Sequence, residues 1–492
     1  MRGRRALASA VCGAAVWGAA VLAVPGATSA WSVTAARGVL PAVSSWGRAV
    51  AVPGLRALNE GRHAVVRSVS CGSAGNCAAG GNYRDRLGHG QAFVAVEKNG
   101  RWGQAIMVPG LATLNKGEQS RVVSVSCASA GNCAAGGYYR DRSRGYQSFV
   151  VNEQNGVWGR AIEVPGLGIL NTAGKGEVSS VSCASAGNCA AGGYYGDRLG
   201  TRGFVVSERN GRWGRAIAVP GLTTLTAGGS SEVTSVSCAL RRYCAVGGHY
   251  GYQRQKPLEG FVASEQNGVW GRAIEVPGLG ALNKGGVGGV RSVSCASAGN
   301  CSAVGGYADS HGRRQGFVAS EQNGVWGQAI EVPGLGALSK GRRGAGTSSV
   351  SCASAGNCVA VGGYVDGHGN AQGFVVRERH AVWGRAIEVP GLGALNTGDV
   401  AGVVSVSCAS AGNCAAGGNY RDRQGRRQGF VAVEKNGRWG RAIEVPSLGA
   451  LNTGGDAGVR SVSCASPWAC AAGGYYAERS RHLHYQGFVS RS

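Results

Sequence analysis

The residues best equipped for chemistry in this chain are its cysteines. Cys71 and Cys77 stand six apart. The same spacing recurs at Cys127/Cys133, Cys183/Cys189, Cys238/Cys244, Cys295/Cys301, Cys352/Cys358, Cys408/Cys414 and Cys464/Cys470. A structural zinc site needs four ligands, commonly in C-x2–4-C spacing and often with histidine. Here five residues separate each pair and no histidine recurs with it. Thiol redox sites favour C-x-x-C. A disulfide fits better, because each pair brackets a short turn such as ASAGN between two runs that read as strands. Directly opposed residues of an antiparallel pair have Cα atoms about 4.5–5.5 Å apart, within a disulfide's reach. The seventeenth cysteine, Cys12, lies in an N-terminal leader, so the others pair evenly. One disulfide per repeat is expected, with no metal and no cofactor.

Charge able to hold a ligand is concentrated in another part of the repeat. RDRLGHG (84–90), RDRSRGY (140–146), RLGTR (198–202), RDRQGRR (421–427) and RSRHLHY (479–485) read as polar loops. Arginine beside tyrosine pairs with anions and stacks on sugar rings or bases. The candidate ligand-binding residues are Arg84, Arg86, Tyr139, Arg140, Arg142, Arg198, Tyr420, Arg421, Arg423, Arg427, Arg479 and Arg481. Aspartates recur in the same loops, among them Asp85, Asp141 and Asp422, and read as turn formers or ion-pair partners. Signs of catalysis are few. G-x-S-x-G, H-E-x-x-H and the P-loop are absent, and the histidines are irregularly placed. Glu97, Glu153, Glu208, Glu265, Glu321, Glu378 and Glu434 recur beside a hairpin turn, where a solvent-facing side chain is expected. The near-copied repeats offer no asymmetric carboxylate pair of the kind glycoside hydrolysis uses.

These residues are positioned by a repeat of 55 to 57 residues, a period that signals a solenoid, an array or a propeller. Residues 122–170 show one unit. VVSVSC, CAAGGYY, QSFVVNEQ and VWGRAIEVP read as four short strands, and the Asn-Gly after the third is a strong hairpin signal. GLGILNTAGKGE reads as a Gly-rich connection, with no helical period. Repeated eight times, this meander predicts an all-β, eight-bladed β-propeller over 46–492. The last unit ends at QGFVSRS in its third strand, and the missing fourth stands before the first unit as WGRAVAVPGLRALN (46–59). The N-terminal strand is therefore expected to complete the last blade and close the ring, which pairs both exposed edges. The loops between second and third strands should share a face with the interblade loops, opposite the cysteine turns. SVSC and CAAGG supply small residues where inner strands crowd, and the recurrent tryptophan, Trp158 for example, reads as packing between blades.

The unit resembles the kelch repeat in its double glycine Gly136-Gly137, its aromatic Tyr138, the Trp158 that begins the outer strand, and Val164-Pro165 closing it. The alternation of Trp-Gly with Val-Pro is also similar to RCC1-like propellers, among them a secreted bacterial enzyme inhibitor. Both resemblances imply a propeller and neither implies one function.

The first thirty residues form a different element. Arg2, Arg4 and Arg5 precede an apolar run over 6–24, and Thr28 and Ala30 suit a cleavage site after Ala30. This is the pattern of a secretory signal peptide, although a run of this length could also act as an anchor helix. Residues 31–45 read as a linker. Apart from that run, nothing in the sequence predicts a membrane span. The net charge of +24 favours anionic surfaces. The expectation is a monomeric, non-catalytic binding propeller, secreted into the medium or held at the cell wall. Its partners would be a polyanion, a cell-surface glycan or an acidic protein. A protein-binding or enzyme-inhibitor propeller is the alternative, and a propeller lyase or hydrolase a more distant one.

Overall fold

The computed structural model describes residues 46–251, 257–341, 344–480 and 482–492. The segments read as leader (1–30) and linker (31–45), and Arg481, lie outside the described residues. The rest forms eight antiparallel sheets, one per repeat. In blade 2 the inner strand Ser120–Ser129 pairs with Asn132–Asp141, which pairs with Gly145–Gln154. The outer strand comes in two pieces, Val157–Trp158 and Ile162–Glu163, both paired to the third strand. It breaks because the N–H of Ala161 turns away to the carbonyl of Pro109 in the preceding blade, at 2.8 Å. Blade 8 consists of Ala457–Ser466, Ala469–Glu478 and His484–Arg491. Val50–Ala51 completes it, with Val50 opposite Val489 and Ala51 opposite Phe488. The ring closes as the sequence predicts.

The interblade connections are not wholly irregular, as their glycine content suggests. Each holds a single helical turn, such as Leu111–Leu114 or Leu167–Leu170. A turn this short shows no apolar period, and its role is to seat one leucine. Leu111 and Leu167 are buried between blades.

Each blade interface has its own apolar core. Phe149, Val151, Trp158 and Val122 of blade 2 pack on Ala78, Val94 and Leu111 of the preceding unit. One phenylalanine per blade, from Phe93 to Phe488, is wholly buried. The double glycine is required by close approach. A Cβ on Gly81 would lie 1.9 Å from the carbonyl oxygen of Val65, and one on Gly80 would lie 2.5 Å from Val122 of the next blade.

Inner strands are sheet edges, and their free N–H groups need partners. The two serines of SVS supply them. Ser68 Oγ accepts the N–H of Val125 at 3.0 Å and Ser70 Oγ that of Cys127 at 2.9 Å. The same two bonds recur at every interface. Ser461 and Ser463 of blade 8 close the circle on Val69 and Cys71 of blade 1, at 3.1 and 3.0 Å.

The disulfides form within blades, one in each, as the spacing predicts. They are Cys71–Cys77, Cys127–Cys133, Cys183–Cys189, Cys238–Cys244, Cys295–Cys301, Cys352–Cys358, Cys408–Cys414 and Cys464–Cys470. The half-cystines face each other across the inner hairpin next to a bulge. Their Cα atoms are 3.9 Å apart in Cys71–Cys77, closer than a regular antiparallel pair. The two halves differ in exposure. The first cysteine of each pair is half-buried. The second is buried in every blade, as Cys77, Cys133, Cys189, Cys244, Cys301, Cys358, Cys414 and Cys470. It belongs to the interblade core, where Cys133, for example, packs with Ala78 of the preceding blade. These eight sulfurs are thus structural parts of the core and offer no surface to a ligand.

The cysteine turn touches the Asn-Gly turn through Gly100 N–H to Gly75 O, 2.8 Å. On the other face the polar loop meets the interblade connection through Gly117 N–H to Arg140 O, 2.7 Å. Among the described residues no helix is long and apolar enough to cross a membrane.

Candidate ligand site at the axial mouth

The polar loops are built as turns around their aspartates. Asp85 Oδ1 accepts the N–H groups of Leu87 and His89, and Asp422 Oδ1 those of Gln424 and Arg426. Arg426 also pairs with Asp422 at 2.9 Å. These aspartates are turn formers, as their place in the sequence suggests.

Of the predicted ligand residues, Arg84, Arg86, Arg140, Arg142, Arg198, Arg421, Arg423 and Arg479 are exposed on this face, and Arg427 is half-buried. Arg481 lies outside the described residues. Tyr139 and Tyr420 require correction. They are 0% and 3% exposed and offer no surface to a ligand. The strand's alternation turns them inward with Cys133 and Cys414, and their hydroxyls donate to Glu163 and Glu444 at 2.7 and 2.9 Å. Burial drives both phenols up.

The recurrent glutamates also differ from expectation. Glu97, Glu153, Glu208, Glu265, Glu321, Glu378 and Glu434 are at most 3% exposed. Glu153 shares strand parity with Phe149 and Val151, so it faces the preceding blade, covered by its cross-strand partner Trp158. The third strand of that preceding blade normally supplies a donor. Ser264 serves Glu321 at 2.7 Å and Ser320 serves Glu378 at 2.6 Å. The residue facing Glu153 is Val96, and neither Glu153 oxygen nor the Trp158 Nε1 has a hydrogen-bond partner among the described residues. Burial raises Glu153 to about 7.

The repeats diverge at the axial end of the inner hairpin. One residue pair there faces across the two innermost strands of each blade. In chain order the pairs are Val65–Asn82, Arg121–Tyr138, Glu177–Tyr194, Glu232–His249, Gly289–Gly306, Gly346–Gly363, Gly402–Asn419 and Gly458–Tyr475. The next pair along, Val66–Gly81 and its counterparts, hardly changes. Next comes a bulge residue, which a bulge re-aims. It is arginine at Arg67, Arg291 and Arg460 and Val, Ser or Thr in the other blades.

Three arginines, from blades 8, 1 and 2, stand at this mouth within electrostatic reach of one another. Arg67 Nε donates to Asn82 Oδ1 at 2.9 Å. Arg121 lies over the Tyr138 ring at 5.4 Å and Arg460 over Tyr475 at 5.0 Å. Burial, reinforced by the Arg121 and Arg460 charges, pushes the Arg67 guanidinium down to about 10. Carboxyl groups border the arc on blades 3 and 4. Burial raises Glu177, against the pull of Arg121 and Arg67. Glu232 lies 3.8 Å from His249, whose imidazole is lowered by burial. Two loop arginines reach the arc. Arg427 donates to Tyr475 Oη at 3.3 Å and to Asp456 at 3.4 Å. Arg140 lies 5.9 Å from the Tyr146 ring, which stacks edge-on with Tyr138. Chemically the arc is a cation cluster with aromatic walls, suited to an anion.

No family model matches the chain, and no curated protein matches it. Similar solved structures include Chaetomium thermophilum Sqt1, at 12% identity and TM-score 0.45, covering 90% of this chain and 97% of that one. A lectin of Aleuria aurantia in complex with alpha-methyl-L-fucoside is 12% identical with TM-score 0.31, covering 66% and 95%. A Hadza microbial sialidase is 11% identical with TM-score 0.36, covering 71% and 74%. These likenesses carry no argument about what this chain binds.

Proposed function

We propose that the protein is a secreted binding propeller for an anionic ligand, a polyanion or acidic glycan, held at the axial mouth on the face of the basic loops. The observation that carries this reading is the nearness of Arg67, Arg121 and Arg460 from three blades. Arg67 and Arg121 are half-buried and Arg460 is exposed beside them, and like charges held together with partial burial cost free energy that a bound anion returns. The exposed loop arginines extend the positive field outward and steer such a ligand in. Eight disulfides in one chain suit an oxidising, extracellular setting. The test is polyphosphate and acidic-glycan binding by the purified protein at several salt concentrations. Binding should weaken steeply with salt. The triple variant Arg67→Ser, Arg121→Ser, Arg460→Ser should bind more weakly and lose roughly one unit of salt slope per arginine. Absence of binding at low salt, or an unchanged triple variant, refutes it. Selective capture of one acidic protein with no polyanion binding would establish the protein-binding alternative.

A further inference from the structure

A cavity of about 640 Å³ opens at the same mouth, against blades 4 to 7, lined in part by His249, Arg291, Arg314, Gly306, Gly346 and Gly363. Its size falls inside the roughly 300–1,000 Å³ of small-molecule sites. The space exists because the variable axial pairs of blades 5 and 6 are Gly289–Gly306 and Gly346–Gly363. At the Gly306 and Gly363 positions the other blades carry Asn82, Tyr138, Tyr194, His249, Asn419 and Tyr475.

Packing constrains only one of these four glycines, Gly289, where a Cβ would lie 3.0 Å from the His249 Cβ. A Cβ on Gly306 or Gly363 would meet its nearest atom at 3.4 Å, and one on Gly346 would meet nothing within 4 Å. Their neighbours Gly305 and Gly362 contrast sharply, since a Cβ there would lie 1.9 and 2.0 Å from a carbonyl oxygen. The recess is therefore left open where a side chain is sterically allowed. A second feature at the rim of the recess is an unsatisfied polar group. Gln315 lines the cavity, is 9% exposed, and its Oε1 has no hydrogen-bond partner among the described residues. In sibling blades that oxygen accepts from an asparagine, as Gln147 does from Asn171 at 2.9 Å. Here the asparagine is replaced by Ser339, whose hydroxyl is also unpartnered among the described residues.

We infer that this recess is a binding subsite for an acidic saccharide. A sugar ring would lie on the glycine backbone of blades 5 and 6. Its acid group would face Arg291 and Arg314. The inference rests on the anionic-ligand reading above for the approach of the ligand to the mouth. It adds a subsite across the axis from the arginine arc and a size class, one or two sugar rings.

The test uses calorimetric titration with digalacturonate, a chondroitin sulfate disaccharide and sialyllactose, against neutral maltose and lactose. Polyphosphate reports on the arc. At least one acidic sugar should bind saturably, and the neutral sugars should not. Gly306→Asn with Gly363→Tyr refills the recess with residues that sibling blades already hold, so folding should be retained. This variant should bind the acidic sugar roughly tenfold more weakly or not at all, with polyphosphate binding unchanged. Arg291→Ser, which leaves the backbone alone, should also weaken the sugar. The inference is overturned if no acidic sugar binds, if neutral sugars bind equally, or if the refilled and Arg291 variants bind like the parent. Sugar binding without polyphosphate binding would sink the arginine-arc reading and leave the recess standing.

Discussion

Glu153 offers a direct test of how the blades are held. Its carboxyl is 2% exposed, and neither oxygen has a hydrogen-bond partner among the described residues. Burial moves it from the ordinary 4.5 to about 7. A carboxyl raised in this way binds its proton more tightly in the folded protein than in the unfolded chain. Its contribution to stability is then intact below pH 4.5 and declines as pH rises to about 7. At 1.36 kcal/mol per unit, the loss above neutral pH is about 3 kcal/mol. Glu153→Gln removes the titration and keeps the shape. The variant should match the parent within about 1 kcal/mol at pH 4.5 and exceed it by about 1–3 kcal/mol at pH 8.5, with some of the gain lost to an imperfectly paired amide. A second arm is Val96→Ser, which restores the hydroxyl that Ser264 and Ser320 provide to Glu321 and Glu378. It should stabilise more at pH 8.5 than at pH 4.5, although it exchanges an apolar side chain for a polar one. Urea unfolding followed by tryptophan fluorescence across pH, with disulfides intact, measures both. Parallel pH curves for parent and Glu153→Gln would show that folding leaves the Glu153 titration unchanged, and a less stable variant at pH 8.5 would show that its anion is stabilised; either refutes the reasoning.

Gly137→Ala should destabilise by about 3 kcal/mol through overpacking, since the added Cβ would sit 1.9 Å from the Arg121 carbonyl oxygen. Gly306→Ala, one step along its strand from its own crowded glycine, should cost little, and similar melting temperatures for the two would undo the distinction drawn between them. Trp158→Ala should lower stability by roughly 3–5 kcal/mol by opening a cavity between blades, and a melting temperature near the parent's would remove Trp158 from the interblade core.

The fold is readable in the sequence because its determinants are local and repeated eight times. The cysteine hairpin, the Asn-Gly turn and the Val-Pro boundary recur at fixed spacing, and Trp46 before the first unit matches the strand missing from the last. The site is readable only in part. Exposed loop arginines follow from composition, and the structure puts Arg84, Arg86 and Arg421 on that face. For Tyr139 and Glu153, nearby charge and a nearby turn mislead, and strand alternation decides. Tyr139 shares parity with Cys133 and Ala135, and Glu153 with Phe149 and Val151, so both face the core. The arginine arc is out of reach for another reason. Arg67 and Arg460 approach only after the ring closes, through the contact of blade 8 with blade 1. A signal is nonetheless present, in the residue that is Val65, Arg121, Glu177, Glu232, Gly289, Gly346, Gly402 or Gly458 inside otherwise constant surroundings.

Near-identity of the blades, taken alone, argues against any site made of unlike residues, and the geometry removes that argument. Constant positions are those where the backbone leaves no choice. Gly81 must admit the Val65 carbonyl, Ser68 must satisfy an edge N–H of the next blade, and Phe93 must fill the wedge between blades. A change at any of these lowers stability at one interface of a closed ring. The axial pair is less constrained: a Cβ on Gly306 or Gly363 would meet nothing closer than 3.4 Å, and one on Gly346 or Gly402 nothing within 4 Å, although Gly289 lies against His249 of the preceding blade. It is there that eight copies of one scaffold carry a cationic arc, an acidic border and a glycine recess. Unlike chemistry in this protein is thus expected at the axis, where the repeat is free to vary.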